Sequence, residues 1–262
     1  MWKAETGVFL GVAFVAAGAL GAVQPATGIP AEVVQLTQFG PAAGVVVAAL
    51  LWPGRIRERL AGTWPARGRD APAGRRRGLW LLLTAPLIVA LAAGAYGWLK
   101  GDAVATDPRN LEHPFALVVV AQLVGACGEE IGWRCYLQPL LRTRFEPVAA
   151  SVLVGAAWGV WHLGVFAQPP AYAAGFLVAT VAMSVVLGLG PEGTRAGRLL
   201  LAGGFHTLVN LGMLLFMDEE SGAVTPMLLL GAACLVATVP WVVAARRSAP
   251  MDTIGAARRG AL

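Results

Sequence analysis

A chain of 262 residues with 57% hydrophobic and only 13% charged residues departs sharply from the roughly 25% charged composition of soluble proteins. Its mean hydropathy is +0.66 and its net charge +5, which excludes both a water-soluble globule and a disordered chain. Hydrocarbon is its main solvent, and an all-α polytopic membrane protein is expected. The three cysteines, Cys127, Cys135 and Cys234, sit in apolar stretches without metal-ligand spacing, so neither a disulfide framework nor a zinc knuckle is expected.

Eight apolar stretches approach the bilayer length of about 20 residues. In chain order they run from Gly7 to Val23, Val33 to Trp52, Leu79 to Leu99, Pro114 to Leu137, Val148 to Phe166, Tyr172 to Leu189, Leu199 to Met217 and Pro226 to Ala245. The first reads as a retained anchor rather than a signal peptide, because no small-residue cleavage site follows it. Between the second and third lies a basic connector, residues 53–78, with Arg55, Arg57, Arg59, Arg67, Arg69, Arg75, Arg76 and Arg77. Its prolines and glycines suggest an irregular loop facing anionic headgroups, and nothing else supports nucleic-acid binding. Residues 1–262 read as a single integral membrane domain, with no repeat of the transporter kind.

Eight spans put both termini on one side. With the N-terminus cytoplasmic, the cytoplasmic pieces hold Lys3, those eight arginines, Arg134, Arg142, Arg144, Arg195, Arg198, Arg246, Arg247, Arg258 and Arg259. That is 18 of the 20 basic residues, leaving Lys100 and Arg109 outside together with the acidic loop Asp218, Glu219 and Glu220. A multi-pass protein of the cell membrane with cytoplasmic termini is therefore expected.

Ionisable groups inside the spans cost about 2.5–3.5 kcal/mol each even on the gentler insertion scale. Here they cluster. Glu129 and Glu130 precede Arg134 in the fourth stretch, Trp158 and His162 lie in the fifth, and His206 and Asn210 in the seventh. Glu130 and Arg134 are four residues apart, share a helix face and can pair. Glu129 points about 100° away and is free to meet another helix. The other two pairs repeat the four-residue spacing, so three helices each offer a polar face, most cheaply turned toward one cavity. Interhelical glue is an equal reading for Asn210 alone, but glue does not need carboxylates. Glu129, His162 and His206 read as chemistry, with general acid–base work or a proton relay both open. His113 reads as a loop residue at the mouth of the fourth span, and the Gly7/Gly11 and Gly155/Gly159 pairs as close helix approaches.

The ordered motifs Glu129-Glu130-x-x-x-Arg134, Trp158-x-x-x-His162 and His206-x-x-x-Asn210 resemble the CPBP family. These are the CAAX-processing and bacteriocin-processing intramembrane proteases, also called Abi. The matching core covers about residues 115–217, two-fifths of the chain. The resemblance implies a CAAX-protease-like bundle of about eight transmembrane helices, a cavity open toward the cytoplasmic side, and hydrolysis of a hydrophobic or membrane-associated peptide. By motif position Glu129 is the general base for water, and His162 orients that water or shares its proton. His206 and Asn210 polarise the scissile carbonyl, while Glu130, Arg134 and Trp158 support them. As a cofactor, either none or one divalent metal such as zinc on Glu129, His162 and His206 is implied, the second reading making it a metalloendopeptidase. Two positions depart from the family pattern: Cys135 where glycine is usual, and Trp158 where the simplest pattern has phenylalanine. Two other functions fit the same residues, an acid–base enzyme acting on a lipophilic small molecule and a proton-coupled transporter. Substrate identity and oligomeric state are not encoded in these motifs.

Overall fold

The computed structural model describes residues 1–30, 33–66, 68, 72–101, 105–217 and 223–248. Arg67, Arg69, the acidic loop Asp218, Glu219 and Glu220, and Arg258 and Arg259 lie outside the described residues. Among the described residues all regular structure is helical: α1 (Trp2–Thr27), α2 (Gly40–Leu51), α3 (Pro53–Arg59), α4 (Pro72–Lys100), α5 (Phe115–Gly132), α6 (Gln138–Arg142), α7 (Pro147–Trp161), α8 (Pro170–Leu189), α9 (Arg198–Phe216) and α10 (Val224–Ser248). The protein is an all-α polytopic membrane protein. A belt of outward side chains that water would not tolerate supports this: Leu50, Val15, Val236, Val120, Trp80 and Trp98 are all exposed.

All eight apolar stretches are helical, and six of the helices are long and apolar enough to cross a membrane. The other two fall short. At about 1.5 Å per residue, α2 is about 18 Å long and α7 about 22 Å, against a hydrocarbon core of about 30 Å. The second stretch spends its first part in a 3₁₀ turn, Leu36–Phe39, and stops before Pro53. The fifth stops at Trp161 rather than Phe166. His162 leaves helical geometry, a 3₁₀ turn covers Leu163–Ala167, and the Pro169-Pro170 pair holds Gln168 extended before α8 begins. The basic connector is more ordered than expected. It is helical in α3 and again from Pro72, because Pro53 and Pro72 each stand where a first helical turn tolerates them.

Neighbouring helices follow the order α1, α2, α5, α9, α4, α10, α8, α7, and α7 returns to the segment that follows α5. α8 is the most enclosed of the long helices and α1 the least. Close approach is bought by glycine at two places. A Cβ on Gly132 would collide with Pro41, and one on Gly155 would come within 2.7 Å of the Val181 Cα, so α5 meets α2 and α7 meets α8 almost backbone to backbone. Gly7 and Gly11 behave otherwise: a Cβ there would meet nothing within 4 Å, so this pair faces outward within the chain.

The helix ends form two unlike poles. At one, Glu5 is paired with Arg55 and Arg59, Arg77 donates to the Leu189 and Gly190 carbonyls, Arg142 pairs with Glu192, and the Arg198 amide donates to the Gly62 carbonyl. Arg57, Arg75, Arg76 and Arg144 are exposed at the same pole. The other pole holds residues 28–30 and 33–39, residues 105–114, and the turn at 162–169, with Lys100 and Arg109 as its described basic residues. Thr106 is tied there to the end of α9 through its amide and the Leu215 carbonyl, 2.8 Å apart.

Candidate active site

The polar motifs converge on the inner end of α5. Glu129 is 2% exposed, and Glu130 and Arg134 are fully buried. Immediately after Gly132 the helix widens into a single π turn, Trp133–Leu137, before α6 continues the same rod. Such turns are rare and recur at functional sites, because the wider ring re-aims the side chains on either side of it. Here it carries Arg134. The Arg134 Nε lies 3.4 Å from Glu130 Oε2, and its guanidinium covers the Trp158 ring at 4.4 Å. None of its three nitrogens has a hydrogen-bond partner among the described residues, so charge and stacking alone hold it.

The two glutamates face different helices, as their 100° offset requires. Glu130 Oε1 meets His206 Nδ1 of α9 at 2.9 Å. Glu129 Oε2 accepts a hydrogen bond from the Trp158 indole of α7 at 2.7 Å. The expected Glu130–Arg134 pairing is present, and Trp158 is the group that Glu129 meets on another helix. The tryptophan that departs from the simplest family pattern supplies this donor, and phenylalanine has none.

His162 caps the end of α7, one turn from Trp158. Its Nδ1 lies 2.9 Å from the Trp158 carbonyl, and its ring rests edge-on against Trp161 and Phe176, each 4.9 Å away between centroids. A carbonyl only accepts, so Nδ1 carries the proton and Nε2 of the neutral ring is an acceptor. His206 is held by the same logic. Its Nδ1–H donates to the Glu130 carboxylate, its ring packs edge-on against Trp158 at 5.2 Å, and Nε2 is the nitrogen left for a ligand. One turn further along α9, Asn210 donates through Nδ2 to Gln122 Oε1 at 3.0 Å and keeps its second N–H.

Glu129, Trp158, His162, His206 and Asn210 line one cavity of ≈680 Å³. Glu130 and Arg134 are buried and lie outside the lining, Glu130 reaching it through its contact with His206. Val118 and Gln122 of α5, Tyr172, Phe176, Thr180 and Met183 of α8, and Val209 and Met213 of α9 complete the lining, giving mostly apolar sides with a polar floor. Its upper edge is formed by Gln35, Thr106, Asn110, Glu112, His113 and Gln168, which belong to the arginine-poor pole. The cytoplasmic opening implied by family resemblance and the cytoplasmic arginines expected from charge therefore point to opposite ends of one molecule. The reason is topological: loops rich in arginine join the helices only at the end away from the cavity.

Three residues escaped the sequence reading. His113 stands in the loop at the mouth of α5, as read, and in addition lines the cavity, so all three histidines of the chain face one space. Gln122 lies seven residues before Glu129, two helical turns away on the same face, and that spacing was available as a signal. Gln38 is 7% exposed with its Oε1 unpartnered among the described residues, beside Gly125, and the short polar stretch Gln35-Leu36-Thr37-Gln38 ahead of an apolar run was its only mark. A zinc ion would need Glu129, His162 and His206 to close around it. Among the described residues no group of three or more His, Cys, Asp or Glu side chains is arranged to hold a metal ion. His162 and His206 each give Nδ1 to a protein acceptor and keep Nε2 for a ligand.

Comparison with known proteins reaches this same region. Residues 111–212 match the family model described as type II CAAX prenyl endopeptidase Rce1-like. The lysostaphin resistance protein A sequences of Staphylococcus aureus strains MRSA252, RF122/ET3-1 and Newman are each 27% identical over 146 residues. That alignment covers 55% of this chain and 34% of each relative, so it spans about a third of the curated relatives' length.

Proposed function

We propose that this chain, whose residues 111–212 match the Rce1-like family of type II CAAX prenyl endopeptidases, is an intramembrane endopeptidase that hydrolyses a hydrophobic or membrane-associated peptide with water activated by Glu129. The observation that carries this reading is the state of Glu129. It is a buried carboxylate on the wall of a ≈680 Å³ cavity, held at one oxygen by a neutral indole donor, with two histidines and an asparagine around the same space.

With Oε2 held by Trp158, Oε1 is the oxygen that takes a proton from water. The His162 Nε2, an acceptor because Nδ1–H is spent on the Trp158 carbonyl, receives the water's second hydrogen bond and aims its lone pair. The water oxygen bonds to the scissile carbonyl carbon. Negative charge moves to the carbonyl oxygen, where the free N–H of Asn210 and the Nε2–H of protonated His206 donate to it. The Glu129 proton passes to the peptide nitrogen, the C–N bond breaks, and a carboxylic acid and an amine leave, the acid then giving its proton to the amine or to water. Glu130 and Arg134 keep His206 turned so that Nε2 faces the cavity. The chain lies in the cell membrane as a multi-pass protein with both termini cytoplasmic, the orientation its arginines favour.

Incubating membranes that contain the protein in H₂¹⁸O, then sequencing released peptides, tests the reaction class. New C-termini carrying ¹⁸O, present with the wild-type chain and missing with Glu129→Gln, are expected. Equal labelling in both would remove Glu129 from the reaction. Conversion of a lipid-soluble small molecule without new peptide ends would replace proteolysis by another acid–base reaction.

A further inference from the structure

We infer that the cavity is served from the extracytoplasmic side, so that the substrate is a peptide segment exposed at that surface. This rests on the hydrolase reading for what happens to the segment, and on geometry and charge for where it comes from. Three observations converge.

The first is the wall facing the arginines. Between Glu129 and that pole stand Trp133, Arg134, Tyr136, Leu137 and Leu140, none more than 2% exposed, and Arg198 reaches over them to the Arg134 carbonyl at 3.5 Å. A separate hollow of ≈460 Å³ on the far side, bounded by Gln138, Arg142, Glu192 and Arg198, shares no lining residue with the cavity. The site is floored toward the arginines.

The second is the charge that fixes the floor's direction. Arg55, Arg57, Arg59, Arg75, Arg76, Arg77, Arg142, Arg144, Arg195 and Arg198 gather at the floored pole, against Lys100 and Arg109 at the open one. Positive residues of short loops stay on the cytoplasmic side, which leaves the open pole outside.

The third is the chemistry of the mouth. Gln35, Thr106, Asn110 and Gln168 present neutral donors and acceptors at the upper edge, with Glu112 and His113 beside them. Such a rim suits the alternating N–H and C=O groups of an extended backbone better than an ionic headgroup. Glu129 lies fourteen residues into α5, about 21 Å from its outer end at about 1.5 Å per residue. An extended strand at about 3.3 Å per residue therefore reaches it with six or seven residues inside the cavity.

Single cysteines test the side of access in whole cells. Asn110→Cys and Gln168→Cys sit in exposed turns at the mouth, Arg57→Cys and Arg144→Cys at the floored pole, and the wild-type chain provides the labelling baseline. A membrane-impermeant maleimide is expected to label the first two in intact cells and the second two only after permeabilisation. The reverse pattern would overturn the inference. A fluorogenic hydrophobic peptide that the solubilised protein cleaves is then added outside sealed vesicles. Turnover in right-side-out vesicles with none in inverted ones is expected, and turnover confined to inverted vesicles would overturn the inference. Should maleimide label the mouth from outside while no peptide is cleaved in any preparation, the hydrolase reading fails and the side of access stands.

Discussion

Two glutamates of this protein are almost equally buried and are handled in opposite ways. Glu5, 1% exposed at the arginine pole, has both oxygens taken by cations: Arg55 at 2.6 Å and Arg59 at 3.3 Å. Arg55 is still a third exposed, so the cluster keeps contact with water. Glu129, 2% exposed in the bundle interior, has one oxygen taken by an uncharged indole and the other turned to a cavity. The first carboxylate is neutralised and held in place by two cations, whereas the second is held by a single neutral donor that leaves one oxygen facing a cavity. Equal burial thus hides two different settings, and the partners tell them apart.

The comparison breaks most visibly at the buried pair behind Glu129. Arg134→Met removes the guanidinium that faces Glu130 at the π turn and leaves the buried carboxylate with His206 as its described partner. A loss of about 3–5 kcal/mol of stability is expected, the usual cost of unpairing a buried ion pair, read as a large fall in the detergent unfolding midpoint. The double substitution Glu130→Gln with Arg134→Met should recover a good part of that midpoint without recovering activity, since no carboxylate then holds His206.

Asn210→Ala removes the N–H that the proposed mechanism assigns to the developing oxyanion. A fall in kcat of about 10²-fold is expected, with KM changed little and the unfolding midpoint kept, because the bond lost to Gln122 is only partly buried. An unchanged kcat would return Asn210 to the role of interhelical glue.

Trp158→Phe makes the smallest and most selective change. The ring over Arg134 and beside His206 is retained and only the N–H···Oε2 contact is lost. Hydrogen bonds to charged groups contribute about 1.5–3 kcal/mol, so a decrease of about 10- to 100-fold in kcat is expected as Glu129 loses its fixed orientation. A fall in KM-independent stability without a fall in kcat would make the indole a packing element.

Much of this was legible in the sequence because hydrocarbon leaves so few ways to place a charge. Glu129, Glu130, Arg134, His206 and Asn210 declared themselves by being ionisable or amide-bearing inside apolar runs, and their four-residue spacings assigned them to faces correctly. The lengths of α2 and α7 were less legible, because Val33–Trp52 and Val148–Phe166 read as continuous apolar runs. What shortens them is backbone geometry, a 3₁₀ turn at Leu36–Phe39 and non-helical φ and ψ at His162, which a hydropathy pattern does not show. Trp158 looked like a mild variant of phenylalanine until a carboxylate was found 2.7 Å from its nitrogen. The open end of the cavity was invisible for a different reason. It depends on which loops rim the space, and turns such as 105–110 and 162–169 carry too few distinctive residues to announce it.

The most direct test sets the two buried glutamates side by side. Glu129→Gln and Glu5→Gln are each isosteric, and initial rates of peptide hydrolysis and unfolding midpoints are measured for both in the same detergent. Loss of hydrolysis by more than about 100-fold with a near wild-type midpoint is predicted for Glu129→Gln. For Glu5→Gln a lowered midpoint with a near wild-type rate per folded molecule is predicted. A Glu129→Gln protein that hydrolyses peptide at the wild-type rate would contradict the account.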